Sequence, residues 1–182
     1  MPEHPLHGTD LAVPVDASDH VLGPEHAPVV VVEYGDFECP TCKQAAPTVR
    51  LLLERFASRV RIAFRHYPLE QAHPHALAAA EAAESAGEQG KFWEMHDLLF
   101  AHQDHLAARH LHSYAEQLGL DMARFTAEMD DHVYMQRIRE HQDGARRSHV
   151  RGTPGFFVQG RILDVSFGLG RLFDAVGAAL RR

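Results

Sequence analysis

The chain has 182 residues, of which 45% are hydrophobic and 24% charged, and its formal net charge is -7. That make-up suits one globular domain with an ample core, and the acidic balance argues against a general nucleic-acid surface, which needs concentrated Lys and Arg. The cluster Arg137, Arg139, Arg146, Arg147 and Arg151 reads as a solvated helix face broken by Glu140 and Asp143. Met1 to Asp19 lacks the basic start and apolar stretch of a secretory signal, and no later segment is long enough to span a membrane. The expectation is a soluble cytoplasmic protein with no membrane insertion.

Asp10 to Pro28 is a lead-in segment, with a short strand predicted at Leu11–Val15 and a turn around Gly23-Pro24. Val29–Tyr34 is the clearest strand. Its consecutive valines, without polar alternation, suit burial on both faces at the centre of a helix-covered sheet. A helix is expected from Cys39 to about Ala57, with Val49, Leu52, Leu53 and Phe56 as its apolar stripe and a kink at Pro47. Val60–His66 alternates well enough for a second strand, so Val29–His66 forms a β-α-β unit.

The middle of the chain is helical almost throughout. Helices are predicted at Pro74–Ala86, stopped near Gly87, at Lys91–Ala101, at His110–Leu118, closed by Gly119, from Asp121 as cap to Met129, and at about His132–His149. Strands return at Phe156–Val158 and Arg161–Leu163 across Gln159-Gly160, and Leu169–Leu180 ends the chain as an amphipathic helix. The order predicts a single α/β domain over 1–182, with a core at about 11–67 and 150–182 and a helical insertion at about 68–149.

Cys39-Pro40-Thr41-Cys42 contains both cysteines of the chain. It sits where the valine strand gives way to a helix, so the leading sulfur lies beside unpaired N–H groups and the positive dipole end, which favours its thiolate. A disulfide closing so short a loop constrains little of the unfolded chain, and the pair suits switching better than stapling. Cys39 is therefore the candidate nucleophile, facing solvent, and Cys42 the resolving thiol beneath the helix. Glu38 and Asp36 are expected to oppose the thiolate if they point toward it. Glu33 ends an apolar run, where an ionised carboxylate is expensive without a partner or a task. The 15 histidines form neither an HExxH nor a Cys/His zinc array, although His73 and His75 flank Pro74, and His102 with His105 and His110 with His112 are closely spaced.

Taken together, Val31-Val32-Glu33-Tyr34-Gly35-Asp36-Phe37-Glu38-Cys39-Pro40-Thr41-Cys42, Pro47, Phe92-Trp93-Glu94-Met95-His96 and Gly152-Thr153-Pro154-Gly155-Phe156-Phe157 resemble the DsbA family of thiol-disulfide oxidoreductases. The match is similar to soluble bacterial members, including domains fused to sodium/proton antiporters. The resemblance implies a thioredoxin-like fold with the helical block inserted between the second core strand and a cis-Pro strand. It implies disulfide exchange with protein or small-molecule thiols and a redox partner the sequence does not identify, with no cofactor and no metal. Glu33 matches the family's acid beneath the active site, a candidate proton carrier for Cys42. Pro154 is expected to be cis, bringing the Thr153 backbone beside Cys39, where it pairs with substrate, with Pro40 and Thr41 completing the contact surface. Because the strongly oxidising relatives carry a histidine inside the motif and this chain does not, an intermediate potential is expected. Two alternatives stay open: a non-catalytic redox-sensing module, and a metal-binding protein using Cys39, Cys42 and two further ligands.

Overall fold

The computed structural model describes residues 10–182; the part of the leader reading that rests on residues 1–9 lies outside them. Strands β1 (His20–Leu22), β2 (Val29–Gly35), β3 (Val60–His66), β4 (Gly155–Val158) and β5 (Arg161–Leu163) form one sheet in the order β1-β3-β2-β4-β5. β2 and β3 are parallel and the other pairings antiparallel. Parallel neighbours need a crossover, supplied by α1 (Pro40–Phe56), which runs through Pro47. Between β3 and β4 lie α2 (Ala76–Glu88), α3 (Phe92–Ala101), α4 (Ala108–Gln117), α5 (Met122–Asp130) and α6 (Met135–Arg147); α7 (Gly170–Ala179) follows β5.

The valine run occupies the central strand, as its lack of alternation predicts. Val29 and Val31, with Ile62 and Phe156, pack under Ala45, Val49 and Leu52 of α1 and Leu172 and Val176 of α7. Val32, Tyr34, Ala63 and Phe157 face the other way, toward Ala145 of α6, Leu11 and Val150. A third cluster joins Phe37, Phe64 and both cysteines to Phe92, Met95, Leu99, Leu111 and Phe125 of the helical block. Phe64 enters that cluster because β2 ends in glycine: a Cβ on Gly35 would lie 2.5 Å from its ring.

The predicted strand at Leu11–Val15 does not form. Its backbone is satisfied elsewhere: the Val13 and Pro14 carbonyls accept from the buried Arg65 guanidinium, and Ala12 N donates to Ser148 Oγ. The first strand is instead His20–Leu22, too short to show a period. α2 starts at Ala76 and passes through Gly87, and α6 starts at Met135, three residues later than expected. Asp121 caps α5 by accepting from Arg124 N at 3.0 Å. The Gln159-Gly160 turn has positive φ at both residues. Its glutamine is explained by its side chain, which accepts from Val30 N at 2.8 Å and donates to Pro28 O at 3.0 Å, tying the turn to the start of β2. Among the described residues no helix is long and apolar enough to cross a membrane.

Candidate active site

The end of β2 and the start of α1 put the cysteines at the C-terminal end of the central strand, against the helical block. Cys39 is the N-cap residue of α1 and Pro40 its first helical residue, a place where a missing N–H costs no hydrogen bond. Both thiols are free. Cys39 is 6% exposed and Cys42 0%, so the leading sulfur is more enclosed than the sequence predicts. Pro40 and Thr41 are exposed above it.

The Thr153-Pro154 peptide is cis, and it brings the Thr153 carbonyl to the site. That oxygen accepts from Thr41 Oγ1 at 2.9 Å and from Cys39 Sγ at 3.5 Å, while Cys39 Sγ and Thr41 Oγ1 lie 3.0 Å apart. Thr41 has one hydroxyl hydrogen and two acceptors in reach, so it can turn from Thr153 O to the sulfur when Cys39 ionises. The Thr153 carbonyl is thus engaged within the protein, and its N–H is the backbone group left without a partner among the described residues.

The two thiols are driven apart. A hydrogen bond with Cys42 is the main reason the Cys39 thiol falls to about 4, against the opposing effect of burial and with Thr153 and Thr41 adding to it. Burial pushes the Cys42 thiol strongly up, helped by that same hydrogen bond and by Glu33. Glu33 lies on the face of β2 that α1 covers, is 3% exposed and makes no hydrogen bond or ion pair among the described residues. Its burial lifts the carboxyl to about 8.

The two acids beside the motif do not face the sulfur. Asp36 accepts from Glu38 N at 2.8 Å, Leu69 N at 2.8 Å and His73 Nδ1 at 2.7 Å. Glu38 accepts from His75 N at 2.7 Å and lies 2.9 Å from its Nδ1. The expected opposition to the thiolate is therefore removed by two histidines that precede α2. Burial works against a cation at His73, yet Asp36, Cys39 and Glu38 together raise its pKa. Sequence reasoning missed these partners and also Gln103, whose amide donates to the Phe37 and Cys39 carbonyls. The sequence shows the first two only as a close pair around Pro74.

Phe92 and Phe100 are core residues 4% exposed, beneath the site with Phe37 and Phe64, and Trp93 packs on the same cluster. The larger groove beside the motif, about 980 Å³, runs between Thr41, Thr153, Pro154, Phe156, Leu163 and Leu169 and meets the insertion only at His149. A smaller one of about 600 Å³ borders the insertion at Pro40, His75, Gln103 and Leu106. Histidine and acid groups also gather at His66, Glu84 and His141, a trio that includes neither cysteine. Glu84 is already balanced there by His66 at 2.7 Å, His20 at 3.0 Å and Arg137 at 2.9 Å, which draws Arg137 off the solvated face.

A thioredoxin family model matches residues 16–173. Among solved structures, a thioredoxin-like oxidoreductase from Silicibacter pomeroyi shares 28% identity at a TM-score of 0.81, with 92% of this chain and 95% of that one covered. BdbD from Bacillus subtilis shares the fold at a TM-score of 0.81 and 20% identity, over 90% of this chain and 94% of that one. Curated relatives named Na(+)/H(+) antiporter NhaA include proteins of Salinispora arenicola, 55% identical over 93% of this chain, and Herminiimonas arsenicoxydans, 41% identical over 94%. The chain spans about a quarter of their length, 26% and 27%. With its helical block between β3 and the cis-proline strand, the chain belongs to the thioredoxin family and shares the fold of DsbA-like structures.

Proposed function

We propose that this chain, as one domain over 1–182, exchanges disulfides with protein or small-molecule thiols through Cys39 as nucleophile and Cys42 as resolving thiol. The core is about 11–67 and 150–182, the insertion about 68–149. The observation that carries the reading is the asymmetry of the pair: Cys39 caps α1 beside the Thr41 hydroxyl, with its ionised form favoured, and Cys42 is fully buried and held protonated.

In the reducing direction the Cys39 thiolate attacks one sulfur of a substrate disulfide, forming a mixed disulfide and releasing the other sulfur as a thiolate. Cys42 passes its proton to the ionised form of Glu33, and a carboxyl that titrates near 8 suits both taking the proton and returning it. The Cys42 thiolate then attacks Cys39 Sγ, releasing the second substrate thiolate and leaving the Cys39–Cys42 disulfide. The substrate gains two electrons and the protein loses two. In the oxidising direction the same steps run backward, with Glu33 protonating Cys42 as it leaves. A favoured Cys39 thiolate stabilises the reduced protein, which supports the oxidising direction over the intermediate potential expected from the motif. Thr153 N–H, Pro154, Pro40 and Thr41 receive the substrate segment, and no bound cofactor takes part.

Replacing Cys42 with alanine tests the reading. Mixed disulfides at Cys39 are expected to accumulate with thiol partners, and a Cys42→Ala protein that traps none would count against exchange. A second reading, a redox sensor acting on a transporter, draws on the antiporter names of the relatives. It predicts a titrating disulfide with negligible turnover. The reading includes a cytoplasmic setting, which cell fractionation tests.

A further inference from the structure

The helical block packs against the cysteines, and one of its residues also reaches the nucleophile's own backbone. Gln103, in the turn between α3 and α4, donates from Nε2 to Phe37 O at 2.8 Å and to Cys39 O at 2.9 Å. Two carbonyls can only accept, so they fix which end of the amide points inward. Phe37 O has no other protein partner among the described residues, and Cys39 O otherwise accepts Lys43 N at 3.2 Å, the first turn of α1.

The rest of this loop is tied to Asp36. Glu38 N donates to its carboxylate at 2.8 Å and Cys39 N to its carbonyl at 3.1 Å. Peptide 37–38 is therefore held at both ends, its N–H by Asp36 and its C=O by Gln103. The carbonyls of residues 37 and 39 are thus both turned toward the Gln103 amide, while Cys39 itself caps the N–H end of α1. His73 and His75, which also follow β3, act in the same sense by occupying Asp36 and Glu38.

We propose that Gln103 is a positioning residue through which the helical insertion governs the reactivity of Cys39, by holding the Phe37 and Cys39 carbonyls away from its sulfur. The proposal rests on Cys39 being the nucleophile, as argued above. The insertion is then part of the reactive centre and not only a cover for the sheet.

Gln103→Glu keeps the side chain's shape but replaces the donor with a carboxylate facing two carbonyls. Gln103→Met removes the donor without adding charge. Cys39 ionisation is followed by thiolate absorbance and by the pH dependence of alkylation, neither of which needs a substrate. The redox equilibrium is measured in a glutathione buffer, and thermal stability alongside. Gln103→Glu should move ionisation to higher pH and lower the oxidising equilibrium constant about tenfold, about 30 mV. Gln103→Met should shift both in the same direction by less. A purely structural glutamine would lower the melting temperature and leave both readouts at the parent values; that result in folded variants overturns the proposal, and Gln103→Met decides alone if the glutamate variant does not fold. A parent protein that ionises at low pH yet exchanges with no disulfide would instead sink the functional reading while leaving the role of Gln103 measurable.

Discussion

Replacing Glu33 with glutamine isolates the energetics of a buried acid beneath the cysteines. The side chain is 3% exposed and its carboxyl rises from 4.5 to about 8 because burial disfavours the charge. Between those values the native protein keeps a proton that the unfolded chain has released, so stability falls as pH rises, by about 1.4 kcal/mol per pH unit. Below the unfolded value the penalty vanishes, since both states are protonated. At the upper end of the window it amounts to roughly 3–5 kcal/mol. Glutamine has the shape of the protonated acid and does not ionise. Reduced Glu33→Gln protein should therefore match the parent at about pH 4 and exceed its stability by about 3 kcal/mol or more at about pH 8. Urea unfolding of both proteins across that range measures the difference, in which the ionisation of groups common to both largely cancels. A gap that stays constant with pH would refute the argument that Glu33 is buried without a partner. Resolution of a mixed disulfide in the same variant should slow by about a hundredfold, the usual scale for losing a placed proton carrier.

Cys39 carries the opposite linkage. Its folded value, about 4, lies below the ordinary 9.0, so the stability it contributes to the reduced protein is present above the unfolded value and lost as pH falls through about 4. Cys39→Ser should flatten that acid limb in thermal scans, and an unchanged limb would mean the thiol is not ionised. Glu84 is 1% exposed, and against the effect of burial the hydrogen bonds from His20 and His66 hold its carboxyl well below the usual range. Glu84→Gln leaves Arg137 without its counter-charge and should cost roughly 3–5 kcal/mol in denaturant unfolding; a loss under about 1 kcal/mol would show the cluster is not electrostatically coupled.

Much of this fold is legible because burial writes it into single segments. The uninterrupted valines of β2, the alternation of β3 and the apolar stripe of α1 each report the surface they are packed on, and Gln159-Gly160 reports a turn. His20–Leu22 is not legible, because three residues carry no period, and the apolar Leu11–Val15 segment misleads because Arg65, far along the chain, takes its carbonyls. The candidate site divides the same way. Cys39, Cys42 and Glu33 lie within one strand-to-helix passage and are visible there, and Thr153-Pro154 through its place before the last hairpin. The groups that hold the flanking acids and carbonyls are not. Read along the chain, Asp36 and Glu38 are two negative charges beside a sulfur, and proximity alone gives the sign of their influence. In the folded protein His73, His75 and Leu69 N take both carboxylates, and Gln103 takes the Phe37 and Cys39 carbonyls. All four come from beyond β3. The motif therefore supplies the sulfurs and, through Cys42 and Thr41, much of the pull on the Cys39 thiol, while the partners of Asp36, Glu38 and the Phe37 and Cys39 carbonyls come from segments that follow β3, where local spacing carries no signal.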